Sequence, residues 1–323
     1  MHPFPYFIQN EFYLEVYVFG YKNQGEAILV IVEVDGKAVF CVLIDSYYCK
    51  DKNLIQEILA RKRIQWIDIV CWSHPHNDHS KGMKDIIEHY SNEDTLVLIP
   101  EGVELLSQKF SMEVTGLFSY LRNQVVQSTE KYRVMSISDN KDILFYYWPK
   151  PKFIYQAQEF QMTINSFAPP SESLRVNQFL NRFDNNLNSI GIMFALGKIH
   201  LVFTGDIEND TWSQFQHSFN ENIGLCNIDL FKIPHHGSRT ANQALKLFSD
   251  IDISICTSYI CGNSKLPEKE IIDCYENISD EVYLTQSMRN EENQKQYGIV
   301  KVKYNLLKDT KEVRLYGNAM KIK

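Results

Sequence analysis

Apolar positions in the first third of the chain fall into short runs broken by turn residues. Leu14 to Phe19, Ala27 to Glu33 and Lys37 to Ile44 are rich in Val, Ile, Tyr and Phe, and Asp35-Gly36 between the last two is a hairpin signal, so three strands are predicted. Leu54, Ile55, Ile58 and Leu59 then follow helical spacing, a buried strand is expected over Trp66 to Trp72, and Met83, Ile86, Ile87 and Tyr90 mark a second helix.

Residues 101 to 142 have a different texture. Val103, Leu105, Leu106, Phe110, Val114, Leu117, Phe118, Leu121 and Val125 suggest one or two helices followed by a polar stretch. Strands are expected again at Ile143 to Trp148 and Phe160 to Phe167, then a Pro169-Pro170 break and an Asn-rich segment. Ile190 to Ala195 and Lys198 to Phe203 predict a hairpin turning at Leu196-Gly197. Asp229 to Ile233, Ile253 to Thr257, Val282 to Thr285, Tyr297 to Tyr304 and Lys311 to Tyr316 complete the strands, with a helix starting at Pro267. Two strand-rich halves, each with helices, predict a layered α/β architecture. With no internal repeat, low-complexity tract or linker, residues 1–323 are expected to form one domain, interrupted by a helical insertion at 101–142.

Composition changes this picture little. Apolar residues make up 44% and charged residues 23% of the 323, which is ordinary for a globular chain. No apolar run approaches the roughly 18 to 20 residues needed to span a bilayer. Met1 to Asn10 lacks a basic stretch followed by an apolar block, so a cytoplasmic protein without membrane partners is expected. The seven cysteines (Cys41, Cys49, Cys71, Cys226, Cys256, Cys261 and Cys274) form no C-x-x-C pair and read as reduced, packed thiols. A net charge of −7 argues against non-specific coating of DNA, which relies on broad phosphate neutralisation.

The chemistry is concentrated in three places. Ser73-His74-Pro75-His76-Asn77-Asp78-His79 puts three histidines and a carboxylate directly after an apolar strand. These are ligands that suit zinc, manganese or iron, and histidines two apart can grip one ion while the Asp-His pair grips a second. Phe203-Thr204-Gly205-Asp206 ends a strand on an aspartate, and Ile233-Pro234-His235-His236-Gly237-Ser238 places two histidines after another. Alone, a strand-end aspartate more often makes a turn; three such clusters strengthen one another.

With these motifs the chain resembles a metallo-β-lactamase-fold hydrolase. His74 to His79 is similar to the family's H-x-H-x-D-H signature, Gly205-Asp206 to its bridging aspartate and His236 to its last metal histidine. Within that superfamily it most resembles the hydrolase domain of ComEC-type competence proteins of bacterial DNA uptake. The matching segments are Asn23-Gln24-Gly25-Glu26-Ala27-Ile28-Leu29, Leu43-Ile44-Asp45-Ser46, Asn186-Leu187-Asn188-Ser189 and Lys232-Ile233-Pro234-His235-His236-Gly237-Ser238.

The resemblance implies a four-layer αββα sandwich with two divalent metal ions, zinc by expectation and manganese as the second choice. His74 and His76 would hold one ion and Asp78, His79 and His236 the other, with Asp206 bridging. Asp78 and His235 are the expected catalytic residues, His235 by contacting substrate or donating a proton, although either of His235 and His236 could be the ligand. Asp45, Ser189, Lys232 and Ser238 are expected to support the ligands from behind; for Asp45 a plain strand-end turn is the competing reading. Two departures stand out. The third histidine that most members add to the first ion has no counterpart, since His89 and His200 fit neither position well; water, or an amide or hydroxyl near Asn186 to Ser189, would have to serve. A late-loop histidine is replaced by Leu266 before Pro267.

The resemblance points to a phosphodiesterase, with nucleic acid as a candidate substrate. Hydrolysis of a small ester (a phosphocholine ester, lactone or thioester) and a non-catalytic, partner-binding module are the competing readings. The 101–142 insertion is the expected surface for a protein partner.

Overall fold

The computed structural model describes residues 5–21, 24–48, 53–104, 110–127, 131–147, 149–180, 184–216, 227–262, 264–286 and 297–323. Two eight-stranded sheets dominate it. The first has the order Thr310–Gly317, Tyr297–Asn305, Phe12–Tyr21, Gly25–Val34, Lys37–Ile44, Ile69–Cys71, Leu96–Pro100, Arg133–Ile137. The second runs Met320–Lys321, Ser279–Leu284, Ile251–Cys256, Ile228–Lys232, Ile199–Phe203, Gly191–Leu196, Met162–Ala168, Lys141–Asp142.

Strands Phe12–Tyr21 and Gly25–Val34 are buried along almost their whole length, which is why they read as continuous apolar runs rather than alternations: both of their faces are covered. One face joins the core between the sheets, where Leu14, Val16, Val30 and Val42 pack in one cluster with Ile192, Phe194, Leu201 and Ile253. The other face packs under the helices Leu54–Arg61, Met83–Tyr90 and Met112–Gln127, through Ile55, Leu59, Ile86, Val114, Leu117 and Leu121. On the far side, Trp212, Ala244, Ile271 and Tyr275 cover the outer face of the second sheet. The layers are therefore helix, sheet, sheet, helix. Among the described residues, no helix is long and apolar enough to cross a membrane.

Three sequence expectations need correction. Ile143 to Trp148 is no strand: Ile143–Phe145 is a short 3-10 turn, capped by Asp142, whose carboxylate accepts from Phe145 N at 3.3 Å (Trp148 lies outside the described residues). Ile143, Leu144 and Tyr147 still reach the core, but from a turn. Within 101–142, the stretch read as polar contributes Arg133–Ile137, which pairs in parallel with Leu96–Pro100 and ends the first sheet. The predicted strand Trp66 to Trp72 shortens to Ile69–Cys71.

Both sheets contain parallel runs, and this positions the chemistry. Lys37–Ile44, Ile69–Cys71 and Leu96–Pro100 are parallel neighbours, as are Ile199–Phe203, Ile228–Lys232, Ile251–Cys256 and Ser279–Leu284. Parallel neighbours end at the same edge, where open α/β sheets gather their functional groups. Asp45, His74, Asp206, His235 and Thr257 each follow the last residue of such a strand by one to three positions.

Candidate metal centre

Glu26 reaches the same edge from the opposite direction. Gly25–Val34 is antiparallel to Lys37–Ile44, and Ile28 pairs with Ile44, so Glu26 stands level with the residues just beyond Ile44. Next to it the backbone departs from regular geometry. Asp45 has φ 59°, His235 45° and His236 52°, all in the left-handed region that residues other than glycine rarely adopt, and Gly205 has φ 50°. Each such residue costs of order 1–3 kcal/mol and persists where the surroundings hold it.

Those surroundings are polar and tightly connected. Asp45 accepts from Ser73 N at 2.7 Å and from Ser73 Oγ at 2.6 Å, and its Oδ2 lies 2.7 Å from His79 Nδ1. With Nδ1 engaged, His79 turns Nε2 toward two carboxylates, 3.5 Å from Asp78 Oδ2 and 3.5 Å from Asp206 Oδ2. His236 is oriented in the same way: Nδ1 lies 3.0 Å from Thr257 Oγ1, and Nε2 lies 3.3 Å from Asp78 Oδ2 and 3.7 Å from Asp206 Oδ2. The ring of Tyr259 stacks on His236 at a centroid distance of 4.9 Å. His74 Nε2 lies 3.1 Å from His76 Nδ1 and 3.7 Å from Asp206 Oδ2.

Among the described residues, Glu26, Asp45 and His79 form one donor group, on the Nδ1 side of His79, and two more face the other way: Asp78, His79, Asp206 and His236 in one, His74, His76 and Asp206 in the other, with the donor atoms of each within 4.8 Å of one another. Asp206 belongs to both of the latter. His235 stands outside them. Its Nδ1 lies 3.0 Å from Glu208 Oε1 and 2.9 Å from Thr240 Oγ1, and its Nε2 lies 4.0 Å from Asp206 Oδ2. Lys232 pairs with Glu26 at 2.8 Å, and Ser238 accepts from Thr240 N at 3.2 Å, capping the turn Arg239–Lys246. Ser189 is buried one residue before Ile190, whose backbone N donates to Ser73 O at 2.9 Å.

The electrostatics follow from burial and neighbours. Burial works against charge on His79, yet Asp206, Asp78 and Asp45 hold its pKa well above the ordinary value. Burial would also raise Asp78, but His79 and His236 pull its carboxyl well below the usual range. Burial holds His74 low, and the neighbouring His79 adds to this. For Glu26, burial is outweighed by the ammonium of Lys232, so its pKa is lowered. Four carboxylates (Glu26, Asp45, Asp78 and Asp206) are thus buried with the Lys232 ammonium and a His79 imidazole held towards its charged form, and burial pushes Asp45 up, so negative charge still outnumbers positive. Buried negative charge in such excess is costly unless cations balance it. The imidazole and carboxylate donors match divalent metal ions, with second partners already fixing His79 and His236 in the manner usual for ligating histidines.

Glu26, Glu208, Thr257 and Tyr259 went unassigned from sequence. Glu26 lay inside a matched segment, and Glu208 lies two residues after Asp206; Thr257 and Tyr259 carried no local signal.

The four layers are those the resemblance implied, and the His/Asp cluster lies at the strand-end edge of both sheets. The fold is a four-layer αββα sandwich. No family model and no curated protein matches the chain. Among solved structures it is similar to a "putative metal-dependent hydrolase" from Parabacteroides distasonis ATCC 8503, with 16% identity, a TM-score of 0.40, and coverage of 83% of this chain and 96% of that one. It is also similar to metallo-beta-lactamase SMB-1 bound to 2-mercaptoethanesulfonate, with 13% identity, a TM-score of 0.37, and coverage of 71% and 83%. The fold rests on its own sheet order and layers, not on likeness at this level.

Proposed function

We propose that this chain is a metal-dependent hydrolase acting on phosphodiester bonds, with nucleic acid as the leading substrate class. The observation that carries the reading is the position of Asp206, whose Oδ2 lies 3.5–3.7 Å from the Nε2 atoms of His74, His79 and His236 and so faces both donor groups at once. Two divalent ions held there, zinc by preference and manganese next, would supply an activated water at neutral pH and neutralise charge on a phosphoryl oxygen. The phosphodiester assignment is supported by the ComEC-type segments.

The protein's own groups have separable tasks. Asp45 and Thr257 hold the imidazoles of His79 and His236 by their far nitrogens, turning both Nε2 atoms toward Asp78 and Asp206. His235 lies outside both donor groups and is held by Glu208 and Thr240, with Nε2 on the Asp206 side. Burial disfavours its charged form, but Asp206 and Glu208 hold its pKa above the ordinary value, which suits a proton kept for a leaving oxygen.

The test is turnover of bis-p-nitrophenyl phosphate, single- and double-stranded DNA, and RNA by protein loaded with zinc or manganese, beside a panel of small esters. Metal-dependent cleavage of the phosphodiesters is expected. Faster turnover of lactones or thioesters would replace the substrate class, and no metal-dependent turnover of anything would remove the reading.

A further inference from the structure

The two halves of the centre are unequally supplied. Asp78, His79, Asp206 and His236 make four donors; His74, His76 and Asp206 make three. Beside the poorer half runs a short stretch with an unusual concentration of unpartnered oxygen. Asn185 Nδ2 donates to Pro75 O at 3.2 Å and Asn186 Nδ2 to Glu208 Oε1 at 3.2 Å, which anchors the stretch to the histidine loop and to the residue near Asp206. Asn185 Oδ1, Asn186 Oδ1 and Ser189 Oγ are nevertheless buried without a hydrogen-bond partner. A buried polar atom left unsatisfied costs about 1–3 kcal/mol, so three within five residues single this stretch out.

Backbone register selects one of the three. Ile190 N donates to Ser73 O at 2.9 Å. A Cβ built on Gly205 would stand 3.3 Å from Ser73 Cβ and 3.4 Å from Ile190 O. Residues 73, 190 and 205 are therefore neighbours, and the residue adjoining each in the chain is His74, Ser189 and Asp206. Ser189 is 1% exposed, and its backbone N donates to Asn186 O at 3.1 Å, which fixes the turn that presents it.

We propose that Ser189 Oγ is the fourth protein donor of the His74–His76–Asp206 half. This rests on the metal-dependent reading above and deepens it. A neutral hydroxyl is a weaker donor than a carboxylate or an imidazole and favours harder ions. The two halves therefore differ in affinity: the half holding Asp78, His79 and His236 fills first, and the half holding Ser189 fills second.

The experiment is a Co²⁺ titration of metal-stripped protein, followed by calorimetry and absorption spectroscopy. The wild type is expected to bind two equivalents in two separate events. Ser189→Ala should weaken the second event by about tenfold or more and leave the first unchanged. Ser189→Cys should produce a near-ultraviolet thiolate-to-cobalt band that grows only during the second event, with no such band in the wild type or in Ser189→Ala. Two Co²⁺ ions in Ser189→Cys without that band, a Ser189→Ala titration identical to wild type, or a single wild-type equivalent would each overturn the inference while leaving a metal centre standing. Binding of no Co²⁺ by the wild type would remove the metal-dependent reading as well. Because Ala is smaller than Ser and adds no contact, the Ser189→Ala arm remains decisive should the Cys variant fold poorly.

Discussion

Asp45 Oδ2 lies 2.7 Å from His79 Nδ1 while the same carboxylate takes both donors of Ser73. One side chain thus fixes the His79 imidazole, a candidate ligand, and the start of the loop that carries His74 and His76. Asparagine keeps the shape but offers one acceptor oxygen in place of two. Asp45→Asn is expected to weaken divalent-metal affinity by roughly 10–100-fold, the usual effect of losing a partner behind a ligand. Metal titration, with circular dichroism to confirm the fold, checks it.

The Glu26–Lys232 pair should dominate the stability of this edge. Both groups are buried, they are 2.8 Å apart, and Glu26 also accepts from Thr257 Oγ1. Removing one partner leaves the other charge uncompensated, so Glu26→Met or Lys232→Met should each cost about 3–5 kcal/mol. The double variant should lose far less than the sum. Urea denaturation of chelator-treated protein measures all three.

His235 and Glu208 should affect turnover without affecting metal loading. His235→Ala is expected to retain the wild-type metal stoichiometry and lose about 10²–10⁴-fold in kcat, the range for a positioned acid–base group. The loss should be larger for substrates with poor leaving groups than for p-nitrophenyl esters. Equal loss on both would argue against proton donation.

Acid stability should depend on Glu15, far from the centre in the sequence. Burial would raise its pKa, but hydrogen bonds from Lys301, Lys62 and Tyr17 hold the carboxyl well below the usual range. A depressed folded-state pKa means that the stabilisation is complete above the unfolded value of about 4.3 and is lost as pH falls toward the folded value. The stability gap between wild type and Glu15→Gln should therefore be constant near neutrality and shrink below about pH 4. Chemical denaturation at a series of pH values reads this directly.

Strands buried on both faces were legible because a continuous run such as Ala27 to Glu33 has no amphipathic reading. The histidine loop was legible because its donors are adjacent in the chain. Ile143 to Trp148 misled because aromatic and branched residues favour strands, while the Asp142 cap that turns the chain is worth little in isolation. Glu26 escaped because its partners Lys232 and Thr257 are more than 200 positions away on the other sheet, so only the packing of the two sheets brings them together. The choice between His235 and His236 also lay beyond local pattern, since three successive left-handed residues, 235 to 237, set where each ring points.

The parallel strand ends that gather these groups come from two different sheets: His74 and His79 follow a strand of the first, Asp206 and His236 strands of the second. An ion that takes donors from both sets rivets the two halves of the sandwich at one edge, adding to the core packing and the Glu26–Lys232 pair that already join them there. Such an ion binds the native chain and finds no equivalent site once the sheets part, so the melting point becomes a gauge of free metal concentration. The same centre that would cut a substrate would then also make this protein's lifetime respond to how much metal its surroundings supply.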